Sequence, residues 1–452
     1  MMKRGESVKK VFCIIAALAL CLVACFAMAQ DNPANPNEWE YEMRPDGRLR
    51  LTWYCGDDTS VTVPVSIDGV PVAELRETFA FSDVEEVVVP EGIEIIGEWA
   101  FGECMLLKRV TVPKSVAEIG SHAFGACRSL KSIALPGVER IGDDAFIECL
   151  ALSDVVLGDR LREIGSDAFG CCEALERIEL PDTLERIDHQ AFFATALTVV
   201  TLPDAAQSVD GTAFDEKVSV SGGVFERPEE LQTEDGFLFE LYPNRGFARL
   251  VSYRGKVTDV SVPPEIEGLP VTVIGKRAFQ EKKVTRVVLP DSVTEMEKLA
   301  FTSCKQLREV VLPKGIARIP KFAFCGCEAL ERIGLPSGVA VIDEYAFEGC
   351  KRLWDVQWPE GLTSIGSGAF SACALSEIQL PDGVVEIGES AFADCARLTS
   401  LTLPEGLKII EKAAFSGCGR LREVVLPTGI QFVAQDAFDS QTQVGQRPDD
   451  GA

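Results

Sequence analysis

Between Phe101 and Phe124 the chain reads FGECMLLKRVTVPKSVAEIGSHAF, and this stretch decides the fold. Ala100, Cys104 and Leu107 stand at i, i+4 and i+7, which predicts a short helical turn with one apolar face. Val110-Thr111-Val112 alternates as a strand does, Pro113 ends it by removing a backbone donor, and Gly120 permits a corner. Ala-Phe then restarts the pattern. Its Phe recurs at 81, 101, 124, 146, 169, 192 and 214, and again at 279, 301, 324, 347, 370, 392, 415 and 438. Apart from a first step of 20 and one gap of 65, every interval is 22 or 23. Such a period predicts a solenoid, because one unit cannot bury its apolar side alone. Stacking places each Phe, Leu, Val and Ile over its equivalent at about the 4.8 Å strand spacing.

The unit F-x-x-C-x-x-L-x-x-V-x-L-P-x-x-V-x-x-I-G-x-x-A-F resembles the BspA-like leucine-rich repeats of bacterial and protozoan surface proteins over about residues 39 to 440. Where ordinary leucine-rich repeats carry Asn after the strand, this chain has Ser115, Thr183, Gly361 or Gly406, so an asparagine ladder is not expected. The resemblance implies a curved solenoid with a parallel β-sheet on one face, and surface adhesion or host-protein binding in some members.

The gap is itself a duplication. TVPVSIDGVPV at 62–72 returns as SVPPEIEGLPV at 261–271, each behind alternating segments broken at a turn: 41–44, 45–47 and 49–53, then 237–241, 243–246 and 248–251. These predict hairpin caps over the open ends of two arrays, 39–221 and 235–440. Residues 222–234, with Gly222-Gly223, Pro228 and several acids, read as the linker, and 441–452 as a polar tail. One continuous superhelix with an inserted island is the alternative.

Lys3, Arg4, Lys9 and Lys10 precede an uncharged apolar run from Val11 to Ala24, the pattern of a signal peptide over residues 1–29. Ala27-Met28-Ala29 suits ordinary cleavage, whereas Leu22-Val23-Ala24-Cys25 resembles a lipobox in which Cys25 would be lipidated; residues 30–38 would serve as a tether or frayed start. No other stretch is apolar enough to span a bilayer, so an exported protein, secreted or attached at the cell surface, is expected. With 44 Lys+Arg against 70 Asp+Glu, the net charge of -26 opposes a phosphate backbone and argues against nucleic-acid binding.

Ten of the 16 Cys follow a repeat Phe by three residues: 104, 127, 149, 172, 304, 327, 350, 373, 395 and 418. They read as a ladder of small buried thiols; export leaves a disulfide framework as the rival. Without residues 1–29 the chain keeps 13 Cys, so at least one is unpaired in a monomer. Cys171-Cys172 and Cys325-Gly326-Cys327 lack a second ligand pair, so no metal site is expected. The only His, His122 and His189, sit just before Ala-Phe and read as solvated surface residues without a nucleophile or acid motif beside them. No phosphate-binding Gly-rich loop follows a strand, so neither catalysis nor a cofactor is expected.

Recognition is then left to the exposed strand positions. They read Glu86, Arg109, Ser132, Asp154, Arg177 and Val199 in the first array, and Arg286, Glu309, Arg332, Asp355, Glu377, Ser400 and Glu423 in the second. Alternating signs suit neighbouring strands and need no ligand. One unit breaks the pattern. Trp354 fills a variable position and Trp358 replaces the Leu before Pro, so Trp354 with Arg332, Asp355, Gln357 and Glu377 forms the candidate contact patch, while Trp358 is assigned to the core. The expectation is non-covalent binding of a protein or other extracellular macromolecule. A self-assembling envelope component, or an enzyme with an acidic cleft between the arrays, stands as the alternative.

Overall fold

The computed structural model describes residues 38–446, so the expected signal segment, Cys25 and residues 447–452 lie outside the described residues. The chain divides into two compact units, 1–227 and 228–452.

In the first unit two parallel ladders run along a solenoid. Ile95–Ile96, Glu118–Ile119, Arg140–Ile141, Glu163–Ile164, Arg186–Ile187 and Ser208–Val209 pair in that order along the corner that the Ile-Gly dipeptides mark. The L-x-x-V-x-L-P segments form the other, with Ser60–Thr62, Glu86–Val88 and Arg109–Thr111 in one parallel group and Ser132–Leu135 against Asp154–Leu157 in the next. In the second unit Arg318–Ile319, Val341–Ile342, Ser364–Ile365, Glu386–Ile387, Ile409–Ile410 and Phe432–Val433 repeat the first pattern. Gly recurs at this corner because coils touch there: a Cβ on Gly120 would lie 2.7 Å from the Gly97 carbonyl carbon.

The expected helical turn at A-F-x-x-C is absent, since no helix forms among the described residues. Trp99 and Glu103, two residues either side of Phe101, have φ of +53° and +57°, and equivalent residues flank the seam Phe in most coils. Left-handed residues at this spacing break an α-helix into successive tight turns. Amides then alternate in direction. Those of Ala100, Gly102 and Cys104 close i to i−3 turns onto Gly97, Trp99 and Phe101, while those of Trp99, Phe101 and Glu103 donate to Ser121, Ala123 and Gly125 of the following coil. The corner thereby becomes a third line of inter-coil hydrogen bonds.

Inside, the repeat Phe rings form two stacks with centroids 4.8–5.4 Å apart and planes within 12° of parallel. The first ring of the first stack is Phe79, not Phe81. Phe79 is 1% exposed and stacks on Phe101, whereas Phe81 is 63% exposed. In T-F-A-F, Thr78 takes the usual Ala place, and its buried hydroxyl donates to Leu51 O at 2.8 Å. The step to Phe101 is therefore 22 residues and the irregular interval of 20 disappears.

Beside each stack runs the cysteine ladder. All 13 Cys among the described residues are unbridged. The ten at the repeat position each donate Sγ–H to the Phe carbonyl of the preceding coil at 2.8–3.3 Å. Thr195, which stands in for Cys after Phe192, donates instead to Phe192 O of its own coil at 3.0 Å.

Hairpins close the starts of both stacks. Trp39–Met43 pairs antiparallel with Leu49–Tyr54, laying Trp39 and Tyr54 against Phe79 at 5.8 and 5.5 Å. Phe237–Tyr242 pairs antiparallel with Phe247–Tyr253, and Tyr253 covers Phe279 at 5.7 Å. Both caps hold buried charge: Glu74 receives Arg44 and Arg50 at 3.0 and 2.9 Å, and Arg249 reaches Glu297 at 2.7 Å. The stretch expected as a linker is structured. Phe225 packs edge-on to Phe214, and Arg227 donates to the carbonyls of Phe214, Asp215 and Val218, closing the far end of the first stack. Glu229–Gln232 is a strand antiparallel to Phe237–Tyr242.

Candidate functional site

The strand register brings the variable row side by side, pairing Glu86 with Arg109, Arg286 with Glu309, and Arg332 with Asp355. Arg109 and Arg286 form ion pairs with their neighbours. Such exposed pairs contribute at most about 1 kcal/mol each, which makes most of the row a solvated surface.

The coil beginning at Phe347 differs. Trp354 is 42% exposed just ahead of the strand Asp355–Gln357, and the Arg332 guanidinium lies 4.5 Å from its ring centroid. Arg332 Nε is also 4.0 Å from Asp355, so the exposed guanidinium lies between an indole and a carboxylate. On the paired strand Arg332–Gly334, Gly334 leaves room that the Gln357 amide uses: a Cβ there would stand 3.2 Å from Gln357 Oε1. Trp354, Arg332, Asp355 and Gln357 thus form one group. Glu377 does not join it. The strand Glu377–Gln379 pairs with Ser400–Thr402 but not with 355–357, and earlier in that coil the Ala374 amide donates to Leu353 O. Trp358 packs edge-on against Phe370 at 5.1 Å, partly buried against the core.

The two His are half-buried, which corrects their expected place in solvent. His122 stacks on Trp99 at 4.8 Å with Nε2 3.7 Å from Asp144, and Trp99 is itself stacked on Phe81. His189 Nδ1 lies 2.7 Å from Thr212 Oγ1, whose hydroxyl donates to Asp210 at 2.5 Å. Since the Thr212 proton is spent on the carboxylate, the imidazole donates rather than accepts, the reverse of what a nucleophile requires. Among the described residues no group of three or more His, Cys, Asp or Glu could hold a metal ion.

Two carboxyls on the Ile-Gly corner carry a pH signature. Burial raises Asp188 and Asp343 to about 6, against the opposing Arg186 and Arg318. A folded-state value above the unfolded value of about 4 means that the folded protein holds these protons more tightly, so their contribution to stability falls as pH rises from about 4 through 6. Replacing Asp343 with Asn should therefore raise unfolding free energy at pH 7 by about 1–2 kcal/mol and leave it nearly unchanged at pH 4. Urea titrations at both values check this; equal effects would dismiss burial as the cause.

Comparison with known proteins gives a consistent pattern. A family model described as "BspA type Leucine rich repeat region (6 copies)" matches residues 75–172, 122–232, 272–395 and 317–445. Similar solved structures include a leucine-rich cell surface protein from Faecalibacterium prausnitzii, at 26% identity over 86% of this chain and 98% of that one, with a TM-score of 0.40. A leucine-rich repeat protein of T. pallidum is 35% identical over 42% of this chain and 91% of its own, with a TM-score of 0.40. Another from Bacteroides ovatus is 24% identical over 92% and 100%, at 0.36. No curated protein matches.

Proposed function

Because the chain belongs to the BspA-type leucine-rich repeat family, we propose that it is an exported, surface-displayed protein that binds another protein non-covalently through the open strand side of its second array. Export rests on the charged, then apolar, segment at residues 1–29. Binding rests on Trp354, a half-exposed indole held by Arg332 in a row otherwise made of short or charged side chains. Trp and Arg are among the side chains whose truncation most often costs binding energy, Trp because it buries a large area with only two rotatable bonds and Arg because its planar guanidinium both stacks and donates several hydrogen bonds.

The test uses immobilised full-length protein and an extracellular-matrix extract, followed by titration of each retained protein. Trp354→Ala should weaken the retained interaction at least about tenfold, the loss of one modest anchor, while shifting Tm by less than about 2 °C because the ring packs on the surface. Unchanged affinity for every retained protein would remove Trp354 from the reading.

A further inference from the structure

Within the acidic chain one region reverses sign. Residues 276–321 hold 11 Lys and Arg against five Asp and Glu, a net +6 in a molecule of net -26. These are the opening coils of the second array, and the fold gathers much of this charge at the Ala-Phe corner. Lys276, Lys298 and Lys321 occupy one column ahead of Phe279, Phe301 and Phe324. The hydrogen bonds from Phe279 N to Ala300 O, Leu299 N to Lys321 O and Phe301 N to Ala323 O hold the coils in step. On the other flank of the same corner, Lys283 and Lys305 form a second column, both exposed.

The edge is not uniformly positive. Glu281 is exposed between the flanks, Glu297 receives Arg249 and the Lys276 amide, and Glu328 lies 3.8 Å from Lys305. Beyond Lys321, whose ammonium sits 5.5 Å over the Phe322 ring, the edge continues as Phe322 stacked on Tyr345 at 5.0 Å.

We propose that this corner is a second binding surface, distinct from the Trp354 side, for a linear acidic polysaccharide carrying carboxylates or sulfates. Cationic columns that repeat once per coil, about 4.8 Å apart, match a flexible chain whose charges recur along its length. At physiological ionic strength fields decay within about 8 Å, so a strand lying along one edge meets the lysines and is screened from the acids elsewhere. Duplex DNA fits less well: with one charge per about 1.7 Å of axis and a wide cross-section, it would also meet the acidic flanks.

The full chain is passed over immobilised heparin, and affinities are measured from low salt to 150 mM NaCl. Wild type should bind with a clear salt dependence. Arg277, exposed beside Lys276 and two residues before Phe279, belongs to the same edge; the triple variant Arg277→Glu, Lys283→Glu, Lys305→Glu should bind at least about tenfold more weakly, with a shallower salt slope, because three cationic contacts are lost. The control Arg397→Glu, Arg420→Glu, Arg422→Glu makes the same charge change at exposed positions farther along the array and should lose less than about threefold. Trp354→Ala should leave heparin binding unchanged, which keeps this test separate from that of the protein-binding surface. The proposal is overturned by absence of binding at 50 mM NaCl, by equal losses in the two triple variants, by equal competition from duplex DNA at matched charge, or by retention that tracks self-association in sedimentation.

Discussion

Replacing Phe79 with Ala is expected to destabilise the first array by about 3–5 kcal/mol, the usual cost of emptying a buried aromatic site, whereas the same change at Phe81 should cost less than about 1 kcal/mol. The two rings are separated by a single Ala, so composition and local propensity scarcely distinguish the variants. What differs is position. Phe79 lies between Trp39 and Tyr54 on one side and Phe101 on the other, so its loss would open a void between cap and first coil. Phe81 touches Trp99 at the surface and holds a φ of +60°, a conformation that gives a bulky side chain little advantage there. Urea unfolding followed by tryptophan fluorescence measures both; comparable losses would return the seam to Phe81.

The thiols should show the second large effect. A chain starting at residue 30 retains 13 Cys. In the native state Cys55 should react at once with an aromatic disulfide reagent, the half-buried Cys171 and Cys325 slowly, and the ten ladder thiols hardly at all. Two causes combine. The thiols are enclosed, and burial pushes Cys104 up to about 11 and Cys304 and Cys418 up to about 12, leaving about one thiolate in a thousand or fewer at pH 8. Guanidinium without reductant should release all 13 within minutes, a change in rate of a thousandfold or more for the ladder positions. Release of only one or two would mean that bridges exist and that the hydrogen bonds from Sγ to the Phe carbonyls are not the resting state.

Most of the architecture is legible in the sequence, because a 22- or 23-residue period fixes which residues stack, and stacking fixes the core. The sequence misleads where one local rule outranks another. At T-F-A-F the Ala-Phe dipeptide suggested Phe81, while counting 22 back from Phe101 gives Phe79; the period is the stronger rule, because register between coils is what buries the ring. The i, i+4, i+7 apolar pattern at Ala100, Cys104 and Leu107 imitates a helix, yet three inward residues can also come from consecutive tight turns, and nothing in Trp99 or Glu103 announces a left-handed backbone. The stretch 222–234, which reads as linker, contains the 227/228 boundary between the two units; what the sequence does not show is that Phe225 and Arg227 pack there, the positive φ of Gly222 and Gly223 letting the chain turn back over Leu202. In the candidate patch, Trp354 stood out by residue type and Arg332 by column. The separation of Glu377 from that group lies in which neighbouring strands pair, 377–379 with 400–402 and 355–357 with 332–334, and the repeat spacing does not announce where such a ladder breaks.

At the Ala-Phe corner a coil passes its amides to carbonyls of the coil that follows and, where it carries the ladder Cys, its thiol to the Phe carbonyl of the coil before, so most joints repeat one set of bonds. A protein assembled this way has a built-in unit of length. Its outer wall can grow or shrink by whole coils without refitting the rest, and a lineage could explore the reach of its binding surface by counting units while leaving each one's chemistry alone.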